Sequence, residues 1–160
     1  MINAKNYISK KLIQYVQRPG VEDLMHPECF QTIEISYKFI SENHSVTMEF
    51  IEAHPDVPLN WMYISKNPNL TMEFINKYPD KEWEWNFISA NSAITMKDII
   101  ANPDKNWRWE RISANPSIII EDIEANPDKP WDWYTLSSNP NLTMEFIDAN
   151  PDKEWDWDEI

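Results

Sequence analysis

The chain holds one glycine, Gly20, and one cysteine, Cys29, in 160 residues. Hairpins and tight β-turns draw on glycine where the backbone needs positive φ, so a sheet protein is poorly supported. A single cysteine excludes an intramolecular disulfide and fits a reducing compartment. No apolar run approaches the ~18 residues of a membrane helix, so no membrane span is expected. The opening stretch "MINAKNYISKK" lacks the apolar core of a secretory signal. Basic residues are scarce as well, with 14 Lys and Arg against 27 Asp and Glu. The deficit is local: residues 1–40 carry five basic and four acidic side chains, residues 41–160 nine and twenty-three. An acidic surface of that kind repels phosphate, which argues against nucleic acid and against anionic membranes as partners. It also keeps an aromatic-rich chain soluble.

Twelve prolines and nine tryptophans stand against those absences. Short helices ended by proline need little glycine. With 42% hydrophobic residues the chain can build a core.

Aligned against itself, the chain repeats every 24 residues from Ser41. Ser recurs at 41, 65, 89, 113 and 137, and Asn at 43, 67, 91, 115 and 139. Ile recurs at 51, 75, 99, 123 and 147, and Pro–Asp at 55–56, 79–80, 103–104, 127–128 and 151–152. Trp61, Trp85, Trp109, Trp133 and Trp157 close each motif, preceded two residues earlier by Leu59, Trp83, Trp107, Trp131 and Trp155.

Each unit reads as two short helices. The first starts at Thr47, Thr71, Thr95 or Thr143, whose hydroxyl caps free N–H groups, with Ile119 a weaker start in the fourth unit. It ends before the proline, which disfavours helix in the residue preceding it. The second is expected to begin at Asp56, Asp80, Asp104, Asp128 and Asp152 as N-caps. Pro58 and Pro130, two residues on, suit a first helical turn. The recurrent Asn, tolerant of left-handed backbone, would close it. Helices this short are not stable alone and must stack. The fold class expected is all-α: a right- or left-handed α-solenoid of short helix pairs, five 24-residue repeats over 41–160. Residues 1–40 are expected to hold an N-terminal capping helix, 2–18, and a degenerate half repeat, 27–40, forming a single domain with the repeats.

Two residues on one helix set two apart diverge by about 200°. The later tryptophans, with Ile88 and Ser89 on their stripe, are therefore expected in the core. The earlier ones, Trp83, Trp107, Trp131 and Trp155, are expected half-exposed as a ridge that packs over the adjacent turn or, as the second reading, holds a partner. Trp155, Trp157 and Ile160, poorly covered at the last unit, are expected to form a homodimer interface.

Chemistry is sparse. No zinc spacing, Walker loop, dinucleotide fingerprint or calcium loop appears. His26 and Cys29, in "HPEC", could form a nucleophile pair, but a buried cysteine beside Phe30 is the simpler reading. His44 and His54 read as solvated variation. The Asp column is occupied by its capping role, and Met48, Met72, Met96 and Met144 read as core. No catalytic residue, metal or cofactor is expected.

The joint pattern "NPNLTMEF" at 139–146 with "PDKPWDW" at 127–133 resembles repeats found in proteins of giant DNA viruses of amoebae, of mimivirus and marseillevirus type. The resemblance covers 41–160, with Met after Thr a departure and residues 41–64 the least regular unit. It implies a product made in host cytoplasm and located there or in the virion. The function expected is a non-enzymatic scaffold that binds a host or viral protein on its Trp ridge or acidic surface. The alternative is a packaged, self-assembling virion component.

Overall fold

A computed structural model describes Ser41, residues 46–53, Pro55 and residues 59–160. The expected capping helix, the half repeat, His26, Cys29, His44 and His54 lie outside the described residues. So do Asp56 and Pro58.

Among the described residues the chain is all-helical, with nine short helices. The odd-numbered ones are the first of each pair: α1 (Met48–Ala53), α3 (Met72–Lys77), α5 (Met96–Ala101), α7 (Ile120–Ala125) and α9 (Met144–Ala149). The even-numbered ones are the second: α2 (Trp61–Ile64), α4 (Trp85–Ser89), α6 (Trp109–Ser113) and α8 (Trp133–Leu136). The architecture is an α-solenoid of short helix pairs. Successive second helices pack on one another, α4 on α6 and α6 on α8.

The first helices begin where the sequence places them. Thr47, Thr71 and Thr143 accept the N–H of Phe50, Phe74 and Phe146, each at 3.2 Å. The other two units solve the same problem differently. The column that holds Phe74 and Phe146 holds Asp98 and Asp122 instead, and each carboxylate reaches back one turn. Asp98 accepts the Thr95 N–H at 2.9 Å and the Thr95 hydroxyl at 2.7 Å. Asp122 accepts the Ile119 N–H at 3.1 Å, so the start without a hydroxyl still has one donor satisfied. Every one of these helices stops ahead of its proline, as expected.

The second helices do not begin at the Pro–Asp pair. Asp80, Asp104, Asp128 and Asp152 lie in a turn, and the N-caps are the residues just before the later tryptophan: Asn60, Glu84, Arg108 and Asp132. The turn closes locally. Lys105 N–H donates to Asn102 O at 3.3 Å, and Trp107 N–H to Lys105 O at 2.8 Å, with the same bonds at Lys129 and Trp131. The chain then passes through an extended residue (Arg108, φ −110°, ψ 98°) before helix resumes. Pro130 is accepted because it sits in this turn, not in a first helical turn.

The core is made of three aliphatic columns. Ile64, Ile88, Ile112 and Leu136 are fully buried, as are Ile94 and Ile118. Ile51, Ile75, Ile99, Ile123 and Ile147 form the third column, and Met48, Met72, Met96, Phe74, Phe146, Trp131 and Trp155 are buried with them. Each full burial contributes about 1.5–3 kcal/mol of gross transfer energy.

Candidate interaction surface

The repeated polar residues face inward. Ser41, Ser65, Ser89 and Ser113 are fully buried and Ser137 nearly so. Each hydroxyl accepts the N–H of the residue just before the later tryptophan of the next unit, 19 residues on: Asn60, Glu84, Arg108, Asp132 and Asp156, at 2.9–3.1 Å. The Ser65, Ser113 and Ser137 hydroxyls also donate to a tryptophan carbonyl in their own helix.

The asparagines form a ladder beside them. Asn91 Nδ2 donates to Ser65 O at 3.1 Å and Asn67 O at 2.9 Å. Asn115 does the same to Ser89 O and Asn91 O, and Asn139 to Ser113 O and Asn115 O. Each Oδ1 accepts the N–H two residues ahead, at Asn69, Ala93, Ser117 and Asn141. A second, shallower line runs alongside: Asn69 and Asn141 donate to Val46 O and Ile118 O, and the Ser117 hydroxyl to Ile94 O. The Asn column follows directly on the second helices, and its backbone N–H bonds back to them, Asn91 to Ile88 O and Asn115 to Ile112 O. The C-caps Ala90 and Ala114 are right-handed, and Asn works through its amide.

The tryptophans also differ from expectation. Because the earlier Trp lies outside the second helix, the angular argument that split the pair does not apply. Partners in space come from successive units: Trp61 with Trp83, Trp85 with Trp107, Trp109 with Trp131, Trp133 with Trp155. Ring centroids are 5.1–5.3 Å apart and the planes 78–88° to each other, an edge-to-face contact each time. Such pairs add about 0.5–1.5 kcal/mol beyond burial. The earlier indole N–H is satisfied within its own unit, by the carbonyl of Tyr78, Asn102, Asn126 or Asn150 at 2.8–2.9 Å.

Trp83 and Trp107 are consequently half-buried, and Trp131 and Trp155 are each 6% exposed. The expected half-exposure thus holds for Trp83 and Trp107 and not for Trp131 and Trp155. The later tryptophans Trp61, Trp85, Trp109 and Trp133 are half-buried, and Trp157 is 66% exposed. Trp155, expected to be poorly covered, is buried, whereas Trp157 and Ile160 are exposed. Trp61 and Trp133 are further covered by Phe74 and Phe146, stacked at 6.4 and 6.2 Å. Lys81 and Lys153 lie over the same two rings at 4.9 and 4.5 Å, a cation–π contact. The Lys of Pro–Asp–Lys thus clasps the preceding unit where Phe occupies the Asp98 column.

The outward columns are charged and vary from unit to unit. Glu49, Glu73, Lys97, Glu121 and Glu145 share one exposed column. Glu52, Asn76, Ile100, Glu124 and Asp148 share another. Surface links between units are likewise individual: Lys77 to Glu52 at 2.6 Å, Arg111 Nε to Asn86 at 3.0 Å, Asn76 to Asn102 at 3.0 Å. Glu49 is held below the usual carboxylate range by its own backbone N–H and the Thr47 hydroxyl. The Tyr134 phenol is raised by its hydrogen bond to Asp156 and by the Asp156, Asp158 and Glu159 charges.

One open groove of about 620 Å³ lies on this side, with α1 and α3 in its walls. Met48, Leu70, Phe74 and Ala93 give it an apolar floor, and Glu49, Glu52 and Glu73 an acidic rim. Lys77, also on the rim, is tied to Glu52. Among the described residues no group of three His, Cys, Asp or Glu could hold a metal ion, and no helix is long and apolar enough to cross a membrane. Comparison of the chain with protein-family models, curated proteins and solved structures finds no match.

Proposed function

We propose that this protein is a non-enzymatic scaffold that holds another protein on its acidic outer face. The observation that supports the reading is the division of labour between columns. Ser, Asn and Trp, which recur from unit to unit, are spent on joining units. Two exposed columns of the first helices carry mostly carboxylates, and Lys97, Asn76 and Ile100 vary them between units. A surface varied on a uniform frame is what selects one protein over another. Resemblance to giant-virus repeats supports a host or viral protein as the partner, met in host cytoplasm or in the virion. Cross-linking in infected-cell lysate, with the cross-links mapped by mass spectrometry, tests this. Cross-links from the exposed acidic columns to one protein, lost at high salt, are the expected result. Partners captured equally by an unrelated acidic protein would sink the reading.

A second reading has its own observation. Trp157, Tyr134 and Met144 are 66%, 61% and 55% exposed, whereas Met48, Met72 and Met96 in the same column as Met144 are buried. An exposed apolar group of that size favours self-association through the last unit, as a dimer or as part of a particle. Sedimentation velocity over a wide concentration range is the check. The wild type should associate and Trp157→Ser should not. Monomers at all concentrations would remove this reading, and quantitative mass spectrometry of purified particles separates a packaged component from an intracellular binder.

A further inference from the structure

We infer that the groove between α1 and α3 receives an extended polypeptide segment carrying lysine or arginine beside an apolar side chain. This rests on the scaffold reading and names the partner's chemistry. Three observations converge on it. The groove has room for several side chains, about 620 Å³, and is open to solvent rather than enclosed. Its floor and rim differ in kind: Met48 and Phe74 below, Glu49 and Glu73 above. An occupant must therefore offer apolar and cationic groups in alternation, which an extended peptide does by pointing successive side chains to opposite sides. Finally, the rim's own cation is already neutralised, since Lys77 donates to Glu52 at 2.6 Å, with the Tyr78 hydroxyl on the same carboxylate oxygen at 3.3 Å. Glu49 and Glu73 are left facing outward, on a chain of net charge −13. The long-range field then draws a cationic segment in, and the rim carboxylates fix its register.

The test uses the full chain and a fluorescein-labelled peptide of alternating lysine and leucine, followed by anisotropy at about 0.1 M salt. The matching glutamate–leucine peptide is the charge control. Glu49→Lys with Glu73→Lys alters two exposed side chains and leaves the apolar floor in place. It should weaken binding by about ten-fold or more. Glu121→Lys with Glu145→Lys makes the same change of charge in the same column, away from the groove, and should stay within about two-fold of wild type. Helicity by circular dichroism confirms that both variants fold. Equal weakening by the two pairs would mean that net charge alone attracts the peptide, and would overturn the groove. So would absence of saturable binding, or equal binding of the glutamate peptide. A wild-type dimer dissolved by Glu49→Lys with Glu73→Lys would place a second copy there and overturn it too. If that variant loses the peptide's binding but keeps every cross-linked protein in lysate, the groove is not the partner's seat, while the scaffold reading stands.

Discussion

At the scale of single residues, the two tryptophans of each motif are unequal. Trp131 is buried, meets Trp109 edge to face, and gives its indole N–H to Asn126 O. Trp131→Ala should cost about 3–5 kcal/mol in urea denaturation, as large-to-small core changes do. Trp157→Ala, at an exposed ring, should cost less than about 1 kcal/mol. Equal losses would contradict the cross-unit pairing. The asparagine ladder makes a comparable demand. Asn115→Leu keeps the bulk but deprives Ser89 O, Asn91 O and the Ser117 N–H of the partner each has in the amide. Leaving buried backbone groups unpaired costs about 1–3 kcal/mol apiece, so a loss of at least ~2 kcal/mol is expected. Asn106→Leu, in an exposed turn, should change stability by less than ~0.5 kcal/mol. A neutral Asn115→Leu would mean that the ladder is geometry without energetic weight.

At the scale of elements, the first helices show one starting problem with two answers. Where Phe74 and Phe146 stack on a tryptophan of the preceding unit, a threonine hydroxyl must cap. Where Asp98 and Asp122 take that place, the carboxylate reaches back instead. Asp122→Ala should therefore destabilise by ~1 kcal/mol, because Ile119 offers no hydroxyl. Ile119→Thr should stabilise by about 0.5–1 kcal/mol and make Asp122→Ala less damaging. Additive effects in the double mutant, read from thermal or urea curves, would show that the two caps do not substitute for each other. These helices were legible in sequence because caps and prolines act within a few residues of the backbone they control. The second helices were legible in type but misplaced at their starts. Pro–Asp is a common N-terminal signature, and nothing local says that the turn it opens will close on Asn102 O before helix resumes.

At the scale of the whole molecule, each unit is bonded mainly to its neighbours, with Ser, Asn and Trp partners 19 to 26 residues away. Stability is then a sum of unit and interface terms along the stack. Against it works the self-repulsion of a chain of net charge −13. Raising salt from about 0.01 M to about 0.3 M should screen that repulsion and raise Tm by on the order of 2–5 °C. A fall in Tm would mean that Lys81 and Lys153 over their tryptophans, with Lys77–Glu52, outweigh the repulsion.

The sequence by itself determined the 24-residue period, the helical class and the bounds of the first helices. Spacing, caps and proline act along the chain, so they can be read along it. Only the tertiary structure decided that Trp83 belongs with Trp61 rather than with Trp85, and that Ser and Asn carry the joints between units. A buried carbonyl or ring finds its partner according to how the units stack. That arrangement sets which groups lose water together, and no run of neighbouring residues encodes it.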